Sequence, residues 1–272
     1  VSAPRPQDAA AREAQAAARE AQAAQAAAEP AESPARWLLR GRGLAKRFGA
    51  LTALHPLNLE IAQGETLALL GPNGAGKSVL LHILAGLLRP SAGELLRPGA
   101  AGSNRTAARR SVGLVGHASF LYPALSVREN LQLAAHLHGL PDASARARRE
   151  LAAAGLWEAA DLRAGALSRG LAQRAAVARA LVHEPALLLL DEPFTGLDTR
   201  AADALARRLA ARRAAGSAAV LVTHNLARAS ALADRALLLR RGRGLWLPAA
   251  ELASPQLLAA ACDRALNERG AP

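Results

Sequence analysis

The stretch "ETLALLGPNGAGKSVLLHILAGLL", residues 65–88, decides how the chain is read. It opens on the apolar run 65–70, passes through a glycine loop, and continues into "SVLLHILAGLL" (78–88), which has helical length and apolarity. Strand, glycine loop and helix are thus expected in that order. Within the loop, Gly71-Pro72-Asn73-Gly74-Ala75-Gly76-Lys77-Ser78 fills every fixed position of G-x-x-x-x-G-K-[ST]. Gly71, Gly74 and Gly76 let the backbone wrap tightly, so that successive N–H groups point inward and form a nest for phosphate oxygens. The helix that follows adds its positive end. Lys77 then reaches the β- and γ-phosphates, and Ser78 offers a hydroxyl to Mg²⁺. ATP and Mg²⁺ are the expected ligands.

Composition sharpens this reading. Of 34 basic residues only two are lysines, Lys46 and Lys77, in a chain rich in alanine and arginine and without methionine. Against such a bias, a lysine retained in the loop points to chemistry that arginine does not serve. A compact ammonium fits inside a closed loop, whereas a guanidinium is wide and directional. The net charge of +12 is spread along the chain, and seven aromatic residues leave little to stack on bases. Direct nucleic-acid binding is therefore not expected, while closeness to an anionic lipid face is compatible with the charge.

Cys262 is the single cysteine, so no intrachain disulfide is expected and a reducing cytoplasm fits. No apolar run approaches the ~20 residues that span a bilayer, and no secretory leader pattern opens the sequence. A soluble chain is expected, with any membrane role supplied by partners. Residues 1–35 repeat "AREAQAA" at 11–17 and 18–24 and read as an alanine-rich, low-complexity tail. A nucleotide-binding domain is expected over 36–245, with a C-terminal helical tail over 246–272.

Beyond Trp37, Gly and Pro divide the sequence into short segments that predict antiparallel strands and turns. Ser126 and Glu129 form an S-x-x-E capping box that opens a helix, and 142–155 reads as a second. Together they make a helical insert at about 120–165. "ALLLLDEP" (186–193) and "AAVLV" (218–222) read as buried parallel strands. The expected fold class is α/β: a P-loop NTPase core with helices on both faces, an antiparallel subdomain and the helical insert.

Asp191 and Glu192 end the "LLLLDE" strand. An aspartate there can hold the metal's water shell, and the neighbouring glutamate can orient or deprotonate an attacking water. Alone, such a pair is often a solvated turn; paired with the loop upstream it becomes the metal and base position.

On these residues the chain resembles the ATPase subunits of ABC transporters, from about residue 38 to 245. "LSRGLAQR" (167–174) stands where that family's signature lies, "FTGLD" (194–198) resembles its D-loop, and "LVTHN" (221–225) carries the switch histidine as His224. The resemblance implies that Ser168 and Gly170 grip the γ-phosphate held by another subunit, despite Arg169 and Leu171 at positions where the family has Gly and Gln. It further implies roles for Asp198 at the D-loop, His224 at the γ-phosphate and Phe48, in "KRFG", stacked on adenine. Without the resemblance, Phe48 reads equally as an ordinary strand aromatic. One set of motifs implies two chains meeting head to tail around ATP.

"VGHASFLYPALSVREN" (115–130) places His117 where the family has a metal-touching glutamine that links the site to the membrane subunits. With "FLY", "ENL", "LSRG" and "EPFTGLD" it resembles the ATP-binding subunit of the haem exporter of cytochrome c maturation, although Ala118 replaces a glutamine common there. The resemblance implies an integral membrane permease as partner and a place on the cytoplasmic side of the bacterial inner membrane. No C-x-x-C-H occurs and the histidines show no paired ligand spacing, so direct haem ligation is not expected. An exporter of drugs, lipids or polysaccharides, a soluble ABC ATPase acting on ribosomes or DNA, and a non-hydrolysing regulator remain as alternatives.

Overall fold

The computed structural model describes residues 37–98, 110–116 and 118–267, which fall within one compact unit, 35–272. The expected tail at 1–35 and His117 lie outside the described residues. Strands β1 (Trp37–Phe48) and β2 (Leu51–Ala62) pair antiparallel, and β4 (Ala92–Leu96) joins them in the order β2-β1-β4. Each of the first two runs 12 residues, longer than the short segments that Gly and Pro predict. Register shifts absorb the irregular residues, and Pro56 is tolerated because β2 is an edge strand of its sheet.

The second sheet has six strands in the order β5-β6-β7-β3-β8-β9. Here β3 is Thr66–Leu70, β5 Val112–Val115, β6 Leu187–Asp191, β7 Ala218–Val222, β8 Arg235–Arg240 and β9 Arg243–Leu247. All pair parallel except β8 with β9. The predicted buried strands are β3, β6 and β7; β8 and β9 carry no comparable signal and were not expected.

Side chains alternate across this sheet, and both faces are covered. Leu67, Leu69, Leu189, Val220 and Leu237 pack against α1 (Lys77–Leu84) and the inner side of β2. On the opposite face, Leu188, Leu190 and Leu221 meet α4 (Arg169–Leu181) and α5 (Thr199–Ala214). Ala68, Leu70 and Leu238 on that face meet α6 (Leu226–Leu232) and α7 (Pro255–Asn267). The C-terminal helix therefore docks on the core, burying Leu258, Ala261 and Cys262. Helix α1 stops at Leu84, four residues short of the expected span, because Gly86 turns left-handed (φ 71°) and its N–H closes onto the Ile83 carbonyl.

The helical insert comprises α2 (Val127–Leu137) and α3 (Ala143–Ala153), which pack on α4 through Val127, Leu131, Ala147, Leu151, Ala175 and Ala178. The Ser126–Glu129 capping box is present with both reciprocal bonds. At the far end of α2, His138 stacks on His183 with ring centroids 3.6 Å apart, and a His183 ring nitrogen lies 3.1 Å from the Val112 carbonyl oxygen. Burial first, then His138, Arg179 and Arg212, push His183 down to about 4; burial, with Arg110 and Arg179, also lowers His138. A histidine depressed in the folded state binds fewer protons than in the unfolded chain between its two values, so stability falls as pH drops through that window. We expect thermal unfolding to move down by roughly 5 °C between about pH 7 and pH 4.5. Replacing His183 with Phe, which keeps a stacked ring but cannot titrate, should flatten that slope. Parallel slopes for the two proteins would place the acid sensitivity elsewhere.

Candidate functional site

The carboxyl ends of β6, β7 and β3 lie side by side, with Asp191 opposite Val222 and Val222 opposite Leu69. Three loops from separate parts of the chain consequently leave the sheet at one edge, the usual ligand edge of an open parallel sheet.

The first loop is Gly71–Ser78. Gly71 and Gly76 take φ of 132° and 105°, and each lies hard against another chain segment. A Cβ on Gly71 would collide with the Leu239 carbonyl, and one on Gly76 would lie 2.6 Å from the Ala53 carbonyl oxygen. Gly74 has open space around it, so its φ of 76° alone calls for glycine. Lys77 is 9% exposed. Its ammonium folds back over the loop and donates to the carbonyl oxygens of Gly71 (2.6 Å) and Pro72 (2.9 Å). Burial lowers its pKa, opposed by Asp191 and Glu192.

The second loop brings the acidic pair. The Ser78 hydroxyl donates to Asp191 Oδ2 at 3.2 Å. A hydroxyl and a carboxylate oxygen side by side are hard donors that suit Mg²⁺, which takes few protein ligands and keeps water and phosphate oxygens for the rest. Among the described residues no cluster of three or more His, Cys, Asp or Glu side chains is arranged to hold a metal. By the chemistry of these donors, Ser78 and Asp191, with the loop's glycine cradle, fit a magnesium–nucleotide.

Glu192 follows with φ 51°. Its Oε1 accepts the His224 N–H at 2.8 Å, and Thr195 and Thr223 hydroxyls donate to Oε2, each at 3.4 Å. His224 Nε2 lies 3.8 Å from the same carboxylate. The third loop, 223–225, thus supplies both the expected histidine and the clamp on the glutamate.

The structure does not gather all expected residues at that point. Ser168 caps α4, with its hydroxyl accepting from Leu171 N–H at 3.4 Å. Gly170 approaches the loop at Gly196, where a Cβ would sit 2.9 Å from the Gly196 carbonyl oxygen. Asp198 caps α5 by accepting from Ala201 N–H at 2.7 Å. Gly170 thus meets the loop that joins Glu192 to Asp198, while the side chains of Ser168 and Asp198 each cap a helix. Phe48 pairs with Leu51 in the β1–β2 hairpin, the hairpin that also brings Ala53 against Gly76. The residue is 47% exposed, and its ring lies under the Lys46 ammonium at 5.0 Å.

Thr195, Thr223 and Gln173 were not expected here. The side-chain amide of Gln173 donates to the carbonyl oxygens of Glu192 (3.4 Å) and Pro193 (3.1 Å). No spacing in the sequence announces such bonds, because their partners are backbone atoms of a distant loop.

Comparison with known proteins agrees with this fold. The ABC transporter family pattern matches residues 54–195. The chain is 45% identical over 204 residues to a cobalt import ATP-binding protein CbiO of Rhodobacter capsulatus, covering 72% of this chain and 73% of that one. It is 43% identical over 217 residues to an aliphatic sulfonates import ATP-binding protein SsuB 2 of Pseudomonas aeruginosa (79% and 76%). A Nod factor export ATP-binding protein I of Ralstonia nicotianae is 38% identical over 209 residues, 76% of this chain, and this chain spans 65% of that protein's length. Among solved structures, an ATP binding subunit of an ABC transporter superposes with a TM-score of 0.71 at 32% identity, covering 76% of this chain and 88% of that one. An ATP-binding cassette solved as a dimer in a post-hydrolysis state with ADP and Pi gives 0.69 at 28% identity, with 76% and 96% covered. In fold and in sequence over most of its length, the chain belongs to the ABC transporter family of ATP-binding proteins.

Proposed function

We propose that this chain hydrolyses ATP as one half of a head-to-tail dimer and so drives a membrane permease. The observation that carries the reading is the convergence of Lys77, the Ser78–Asp191 pair and the clamped Glu192 at the ends of three adjacent strands. Bound ATP and Mg²⁺ supply the phosphoanhydride and the charge that makes its γ-phosphorus electrophilic. Lys77 balances phosphate charge from within the loop, and Ser78 and Asp191 would hold the metal. Glu192, aimed by the His224 N–H, takes the proton of the attacking water, with His224 beside the γ-phosphate. Phe48 stacks on the adenine. Ser168 and Gly170, with Asp198 beside them, serve the nucleotide of the opposite chain, which is why a single chain's site is incomplete. His117 would stand for the family's glutamine, a ring nitrogen serving as the hydrogen-bond acceptor at the metal site.

Among the described residues no helix is long and apolar enough to cross a membrane, so the permease supplies the spans. Its docking surface is the groove of about 350 Å³ between β5, α2 and α4. Phe120, Tyr122, Leu137 and Leu87 expose apolar surface around it, and Arg179 lines it, donating to the Leu114 carbonyl oxygen at 2.7 Å with its guanidinium 5.6 Å from the Phe120 ring. The chain then sits on the cytoplasmic side of the inner membrane. For the cargo, the 115–130 stretch favours haem export; the named relatives serve cobalt, sulfonates and Nod factors, and another exported cargo is the competing reading.

The test is to purify the chain with its membrane partner and measure ATP hydrolysis with and without haem. Turnover that rises on assembly and again with haem is the expected result. Turnover insensitive to haem would replace the cargo alone, and absence of turnover in the assembled complex would overturn the ATPase reading.

A further inference from the structure

Glu192 is held in a backbone conformation that side chains rarely adopt, with φ 51°, and such a conformation persists only where its surroundings enforce it. From the β7 side, Glu192 N–H donates to the Val222 carbonyl at 2.9 Å and the carboxylate accepts the His224 N–H at 2.8 Å. From the α4 side, the only side chain among the described residues bonded to its carbonyl is Gln173, which reaches Glu192 O at 3.4 Å and Pro193 O at 3.1 Å. A primary amide has two N–H bonds, so it serves both carbonyls at once.

The same helix starts at Ser168, and Gly170 on its first turn is pressed against the Gly196 carbonyl. Arg169 packs its side chain against Gly196 as well. Helix α4 therefore grips the 192–196 loop at both ends of that loop: Gln173 at its start and Gly170 at its close.

We propose that Gln173 is a positioning residue, whose amide fixes the Glu192 backbone and ties the helix bearing Ser168 to the hydrolytic carboxylate of the same chain. The proposal rests on Glu192 being the residue that activates water, as set out above. Through this tie, a displacement of α4 when Ser168 engages the nucleotide of the opposite chain reaches Glu192 directly. Occupancy of one site thus adjusts the geometry of the other. Gln173 touches no reacting atom; it acts only through the carbonyls it holds.

The experiment compares Gln173→Met, Gln173→Glu and Gln173→Lys in the full chain. Methionine keeps the volume without donors, glutamate offers only acceptors to two carbonyls, and lysine donates from a side chain of similar reach. Expected are kcat losses of about 10- to 100-fold for Met and Glu, with KM for ATP changed by less than about twofold, and recovery of most activity by Lys. Amide hydrogen exchange at Glu192 and His224 should quicken in the Met and Glu variants and slow again in the Lys variant. Wild-type kcat and exchange in the Met variant would overturn the proposal, as would equal losses in all three, which would mean α4 packing rather than donation. A wild-type chain without turnover would dispose of the ATPase reading, and exchange alone would then decide the positioning.

Discussion

Replacing Lys77 with arginine is expected to lower ATP turnover by at least about 100-fold, although the charge is kept. The ammonium reaches two carbonyl oxygens of its own loop, at 2.6 and 2.9 Å, from a residue only 9% exposed. A guanidinium is planar and spreads its donors over a wider fork. It cannot sit between the Gly71 and Pro72 carbonyls without pushing the loop outward, and the loop is not free to move. Gly71 is against the Leu239 carbonyl and Gly76 against the Ala53 carbonyl. The substitution thus displaces either the charge or the phosphate nest. The check is a steady-state ATPase rate beside a thermal unfolding curve. An unchanged melting temperature with lost turnover is expected, and near-normal hydrolysis by the arginine variant would refute the role given to Lys77.

Glu192→Gln is expected to cut hydrolysis by about 10²- to 10⁴-fold while leaving ATP binding intact. The amide oxygen can still accept the His224 N–H that now meets Oε1 at 2.8 Å, so the side chain keeps its place. What is lost is the base, since an amide does not take a proton from water at neutral pH. ATP should then accumulate in the site and hold two chains together, visible as an ATP-dependent dimer on gel filtration. A variant that stays monomeric at saturating ATP would count against the head-to-tail sandwich. One that hydrolyses at the wild-type rate would remove Glu192 from the mechanism.

Both predictions start from residues legible in the sequence. The loop 71–78 carries its chemistry in local spacing, because a phosphate nest is made by consecutive backbone groups. The acidic pair closing a run of leucines was legible for the same reason, as were the Ser126–Glu129 cap and the two buried strands. The extent of β1 and β2, the early stop of α1 and the pairing of β8 with β9 were not. The stop of α1 is set by the left-handed turn at Gly86 and the β8–β9 hairpin by the one at Arg241 and Gly242, single-residue backbone states that the apolar pattern hides, while the irregular length of β1 is held in part by its pairing with β4.

The sequence by itself determined which groups could bind phosphate, hold a metal and activate water. Only the tertiary structure decided that they meet. The order β6-β7-β3 sets Asp191, Thr223 and Gly71 at one edge, and it follows from how the faces of the sheet are covered rather than from any motif. The same holds for the clamp on Glu192. Gln173, Thr195, Thr223 and the His224 N–H act on it through single hydrogen bonds, three of them from segments that only folding brings near. A hydrogen bond is a matter of a few tenths of an ångström and a direction. Residue types state what can be donated or accepted; the packed backbone states to whom.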